Sequence, residues 1–216
     1  MGYHRAGFDE IVGVDIRPMP RYPFEFVQAD AMPLMDRLLE GGWFGGPPTT
    51  KQQYSLSHFD AIHAIHASPP CQAYSVTQAL HKNKHPDLVA PIRERLKSTG
   101  APYVIENVVG APLENPLMLC GSMFDLRVYR HRLFECQPAI WWPPCTCNHS
   151  FPMPASKGQY HTLEKQNFIT AVGHNFAAES GRKAMKIDWM TRDELSQAIP
   201  PAYCEYIGKA LLKVLT

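Results

Sequence analysis

Short apolar runs that end in polar residues, separated by turn or helical sequence, constrain this chain more than any other feature of it. Glu10-Ile11-Val12-Gly13-Val14-Asp15-Ile16 has the pattern of a strand buried on both faces, with a carboxylate at its carboxyl end. Residues 24–30 alternate less cleanly and again end in an acid, Asp30. Residues 59–67 pass straight into Ser68-Pro69-Pro70-Cys71-Gln72, and further strands are expected at 103–108 and 129–135. Helices are expected at 33–39, broken by the Gly-rich stretch 41–48, and at 86–99, with Leu88, Ile92 and Leu96 on one face and Gly100 as the stop. Strands alternating with helices predict an α/β fold with an open, mostly parallel sheet, in which ligands bind beyond the carboxyl ends of the strands.

This periodicity lapses after Cys136. Residues 136–185 hold prolines, Trp141, Trp142 and a Cys/His cluster, whereas Thr191 to Leu215 reads as helix interrupted at Pro200-Pro201, with Tyr206, Ile207, Ala210, Leu211 and Leu215 as its apolar face. The expected organisation is a main domain at 1–135, a small irregular appendage at 136–185 and a helix returning to the core at 186–216. A length of 216 residues suits one domain with a small addition. Lys+Arg 21 against Asp+Glu 20 gives a net charge of +1, so any nucleic-acid surface must come from local clustering. Apolar stretches fall short of the ~20 residues of a membrane helix, the first residues lack the apolar core of a signal peptide, and six cysteines are too sparse for a disulfide scaffold. A soluble cytoplasmic protein is expected.

Three clusters carry chemistry. Pro69-Pro70-Cys71 mounts a thiol behind two residues of fixed backbone angle at the end of a buried strand; by itself such a cysteine reads as a small core residue beside a turn. Glu106-Asn107-Val108 puts a carboxylate at the carboxyl end of another strand, so in a parallel sheet it faces the same crevice as Cys71. Arg130 and Arg132, two residues apart, fall on one face of a strand, where guanidinium forks can grip a carbonyl or a phosphate.

In this order the three resemble the cytosine-C5 DNA methyltransferase family. Its nucleophile motif is matched at Ser68 to Gln72, its Glu-Asn-Val motif at Glu106 to Val108, and its Gln-x-Arg-x-Arg motif at Val128 to Arg132, with Val128 standing where the family has Gln. The likeness resumes near Met190, where Ala198-Ile199-Pro200-Pro201 and Tyr206-Ile207-Gly208 look like a degenerate form of the last cofactor motif, without its Gly-Asn. The resemblance implies a Rossmann-like class I methyltransferase sheet, S-adenosylmethionine as cofactor, and double-stranded DNA with a flipped-out cytosine as substrate of a monomeric enzyme. Cys71 would add to carbon 6 of cytosine, Glu106 would hold N3 and the exocyclic amine, Arg130 would engage the carbonyl at position 2, and Arg132 would support Cys71 or a phosphate. Asp15 and Ile16 would meet the ribose of the cofactor, Asp30 and Ala31 its adenine, and Pro69 would also contact the cofactor. No metal enters this chemistry.

The family's first strand and its Gly-rich cofactor loop find no match before Met1-Gly2-Tyr3-His4-Arg5, so the sheet is expected to lack a central strand, with the remaining sequence upstream. The appendage corresponds to the family's target-recognition region and is small for it, which predicts short or lax sequence specificity. Cys136, Cys145, Cys147 and His149 are candidate zinc ligands, in a spacing that also suits an ordinary loop. Phosphate contacts are candidates at Lys157, Lys165, Arg182, Lys183 and Lys186, and at His81, Lys82, Lys84 and His85. Two other readings share these residues: a tRNA-like RNA cytosine-C5 methyltransferase, and a catalytically silent DNA-binding remnant that keeps the pocket.

Overall fold

The computed structural model describes residues 1–40, 62–74, 85–141, 146–150, 162–164, 167–173 and 175–215. In chain order these form α1 (Gly2–Ala6), β1 (Val12–Asp15), β2 (Glu25–Gln28), α2 (Ala31–Leu39), β3 (Ile65–Ala67), α3 (Val89–Thr99) and β4 (Tyr103–Asn107). They continue as β5 (Leu117–Leu119), β6 (Arg132–Gln137), α4 (Ala178–Met185), α5 (Arg192–Gln197) and α6 (Pro201–Leu215). Among them no helix is long and apolar enough to cross a membrane.

Local signals account for most element ends. Asp30 caps α2 by accepting from the Met32 amide at 3.0 Å. Thr191 and Glu194 close α5 with reciprocal side-chain and backbone hydrogen bonds, and Gly100 ends α3 in the left-handed region at φ 69°. The interruption expected at Pro200-Pro201 separates α5 from α6: the chain turns extended at Ala198 before Pro201 opens α6. Helix α1 lies so close on α6 that a Cβ on Gly208 would fall 2.7 Å from that of Ala6.

The strands make two sheets, β1-β2 and β3-β4-β6-β5. β1 pairs in parallel with β2, and β3 with β4. The second sheet is then antiparallel, since β6 runs against both β4 and β5, so the expectation of a mostly parallel sheet holds only for its first half. The strand expected at 129–135 begins instead at Arg132, because Val128 bridges in parallel to Ile169 and leaves Arg130 outside the β4 ladder. Among the described residues neither β1 nor β3 has a strand on its other edge. Both line one cavity of about 1910 Å³.

The main core joins β4 to β6 with Leu195 of α5 and Tyr203, Ile207 and Leu211 of α6. Ile169, Ala171, Phe176, Ala184 and Met185, all within the stretch 136–185, are at most 1% exposed in the same cluster. A smaller cluster packs Ile92 and Leu96 of α3 on Tyr103 and Ile105, with Met32 and Met35 of α2 against it.

Candidate active site

Parallel pairing of β3 with β4 sets Ala67 opposite Ile105, so the chain leaving β3 at Ser68 emerges beside Glu106 and Asn107. Two prolines stiffen that exit, and a single helical turn at Cys71–Ala73 carries the thiol. Asn107, 1% exposed, donates from Nδ2 to the Pro69 carbonyl at 3.0 Å and fastens the cysteine turn to β4. A buried amide left without that partner would cost about 1–3 kcal/mol, so the turn is held at a defined place.

Glu106 is 7% exposed and meets Arg132 Nε at 2.9 Å. Burial raises its carboxyl above the ordinary range, while Arg132 and a hydrogen bond from Ser68 work the other way. A buried carboxyl poised in this manner can share a proton with a nitrogen heterocycle. Ser68 also lies 3.1 Å from His66 Nε2, whose Nδ1 is 2.6 Å from the Tyr3 hydroxyl. Burial pushes His66 down to about 4, so a neutral imidazole links α1 to the Glu106 wall.

Arg130 departs from the expectation that it shares a strand face with Arg132. It is 2% exposed; its two terminal nitrogens donate to the carbonyls of Ala171 and Ser196, each at 2.7 Å, and Nε is buried without a partner. Burial, with Arg132 nearby, lowers its guanidinium to about 9. Tyr203 donates to the Arg130 carbonyl at 2.7 Å, completing a tie between the loop before β6 and the C-terminal helices. Val128 is fully buried, and a Cβ on Gly121 would come 2.1 Å from its carbonyl oxygen.

The chain shares its fold with a solved structure. A protein encoded within an E. coli prophage, provisionally named a DNA modification methyltransferase, superposes with a TM-score of 0.60 over 99% of this chain and 95% of its own, at 13% sequence identity. No family model and no curated protein matches the sequence.

Cys71, Glu106, Arg132 and Pro69 line the large cavity from one side; Asp15, Ile16, Asp30 and Ala31 line it from the other. Arg130 is not in its wall. Asp15 ends β1 and accepts from the Arg17 amide at 2.8 Å, and next to it Ile16 stands 65% exposed. An acid beside an uncovered apolar side chain fits a nucleoside, whose diol takes the carboxylate and whose base covers the isoleucine. Asp30 already caps α2, which places that helix N-terminus, with Ala31 as its first residue, at the same wall.

Of the expected sulfur and imidazole ligands, Cys147 and His149 come together, but with Cys120 and His131. Cys136 stands apart: it lies on β6 opposite Val104, packs against the main core, and burial pushes its thiol up to about 12. Cys145 lies outside the described residues, as do Lys157, Lys165, His81, Lys82 and Lys84. Arg182 donates to the Met190 carbonyl at 2.9 Å and Lys183 pairs with Glu179 at 3.2 Å, so both are engaged within their own region. Lys186 occupies the left-handed C-cap of α4, and His85 is exposed. Asn107, Ser68 and His66 were not singled out by the sequence as separate contributors; a polar residue inside or just after a buried strand is the signal that marks them.

Proposed function

We propose that this chain transfers a methyl group from S-adenosylmethionine to carbon 5 of cytosine in double-stranded DNA. One observation carries the reading: the Pro-Pro-Cys turn and the Glu-Asn pair leave adjacent parallel strands, are tied by Asn107 to the Pro69 carbonyl, and open on one cavity. The prophage protein of like fold, with its name of DNA modification methyltransferase, supports the same direction. The parallel pairs β1-β2 and β3-β4, whose carboxyl ends line that cavity, support a Rossmann-like sheet.

Carbon 5 of cytosine is a weak nucleophile. The Cys71 thiolate bonds to carbon 6, and the electron pair of the 5,6 double bond moves toward N3, where the Glu106 carboxyl holds the proton that neutralises it. Arg132, 2.9 Å from Glu106, keeps the carboxyl oriented. S-adenosylmethionine, when bound, supplies an electrophilic methyl on its sulfonium. Carbon 5 would take that methyl with release of S-adenosylhomocysteine and then lose its own proton to a base; the returning electrons expel Cys71 as thiolate and N3 gives its proton back to Glu106, so the enzyme ends unchanged. A stacked base exposes neither face to this wall, which makes extrusion from the duplex part of the proposal. Asp15 and Ile16 would hold the ribose end of the cofactor, and Asp30 and Ala31 at the N-terminus of α2 would border its base.

Incubation with deuterium-labelled cofactor and duplex DNA, followed by nucleoside mass spectrometry, tests this reading. Labelled 5-methylcytosine is the expected product. Label on an exocyclic nitrogen, or only on an RNA substrate, would overturn it.

A further inference from the structure

We propose that Cys120, His131, Cys147 and His149 form a structural zinc site that clamps residues 146–150 to the sheet. The four ligand atoms lie within 4.8 Å of one another. Cys120 Sγ is 3.5 Å from His149 Nε2, and Cys147 Sγ is 3.6 Å from His131 Nε2. Zinc bonds of about 2.3 Å to sulfur and about 2.0–2.1 Å to nitrogen, at tetrahedral angles, require sulfur-to-nitrogen edges of roughly 3.6 Å. The two pairs therefore already stand at the separation of ligands on a common ion.

The chemistry of the set points to the same metal. Two thiolates and two imidazoles are borderline-soft donors that suit zinc and offset its charge, leaving a neutral site in a partly buried place. Four protein ligands fill the tetrahedron, so the ion is structural, with no position for a reacting water. Outer contacts suit this role. Ser122 Oγ donates to Cys120 Sγ at 3.5 Å and accepts from the Asn148 amide at 3.1 Å, while the rings of His131 and His149 cross at 66° with centroids 4.9 Å apart.

The ligands come from three separate stretches: the residue after β5, the residue before β6, and 146–150. The β5–β6 ladder already joins the first two stretches, and a metal would couple the ordering of 146–150 to its binding. His131 also sits between Arg130 and Arg132. The clamp thus fixes the short piece of chain that presents Arg132 to Glu106, but it does not depend on what reaction occurs there.

Metal analysis of the full chain, grown with zinc and dialysed against metal-free buffer, tests the proposal. One zinc per chain is expected, and cobalt substitution should give the intense visible bands of a four-coordinate sulfur–nitrogen site. Cys147→Ala and His149→Ala should each bring bound zinc close to zero, and Cys136→Ala should retain it. His149 is exposed, so its replacement tests the metal without disturbing the core. Chelation should lower the melting temperature of the unaltered chain and leave that of His149→Ala unmoved. A metal-free chain, a six-coordinate cobalt spectrum, a Cys120–Cys147 disulfide in peptide mapping, or full zinc in His149→Ala would each overturn it.

Discussion

Strands β1 and β4 are both short, apolar and ended by a functional polar residue, yet they are held in different ways. β4 is paired on both edges and all five of its residues are buried, whereas β1 is paired with β2 alone and its four residues are only half-buried. β4 presents Glu106 and anchors Cys71 through Asn107; β1 presents Asp15. The wall proposed to make and break bonds is therefore set by burial. The wall proposed to bind the nucleoside is fastened by longer-range polar ties: Arg95 of α3 to Asp36 of α2, Arg21 to Glu194, and Arg17 to Gln197. Bond chemistry needs atoms held to fractions of an ångström, while a binding wall tolerates more freedom.

Hydrogen exchange should expose this difference most strongly. Amides of β4 are expected to exchange at least about 10³-fold more slowly than those of β1, since local opening of a half-paired strand costs far less than global unfolding. Equal protection would erase the comparison. Next in size, Glu106→Gln should lower turnover by roughly 10² or more, with cofactor affinity unchanged, because the lost interaction matters in the transition state. Asp15→Ala should act on the other wall, weakening binding of S-adenosylhomocysteine by about tenfold in calorimetry at nearly unchanged turnover under saturation. A turnover loss in Asp15→Ala matching that of Glu106→Gln would merge the two walls.

The effect that is smallest per step of the variable concerns pH. Burial holds His66 at about 4 in the folded chain, below an ordinary histidine. Between those values the unfolded chain binds the extra proton, so this residue's contribution to stability is complete above the ordinary value of about 6.5 and is lost as pH falls toward 4. The folding constant should drop by less than tenfold per pH unit from this source. His66→Asn should flatten that part of the profile in denaturant titrations at stepped pH, and an unchanged acid limb would remove His66 from the account.

How legible was this in the sequence? The strands ending at Asp15, Gln28, Ala67 and Asn107 were readable because buried parallel strands are continuous apolar runs, and so was the crevice at their carboxyl ends. The segment before β6 was not. Val128 and Tyr129 have strand-like composition, but their partner is Ile169, some forty residues on, a pairing no local pattern encodes. Arg130 followed the same error, since a guanidinium between two carbonyls of distant segments looks in sequence like any Arg-x-Arg. β5, three residues long, is too short for periodicity to mark. The Cys/His cluster was half legible: Cys147 and His149 lie close in sequence, but Cys120 and His131 reach them only because β5 and β6 pair.

Trapping on a mechanism-based substrate tests the central claim most directly. A duplex with 5-fluorocytosine at target positions, mixed with this chain and S-adenosylmethionine, takes the thiol at carbon 6 and the methyl at carbon 5, but the fluorine cannot leave as a proton would, so the adduct persists. The account predicts a covalent protein–DNA species that needs the cofactor, maps by peptide mass spectrometry to Cys71, and vanishes in Cys71→Ser. An adduct on another residue, or cytosine methylation that continues in Cys71→Ser, would contradict it.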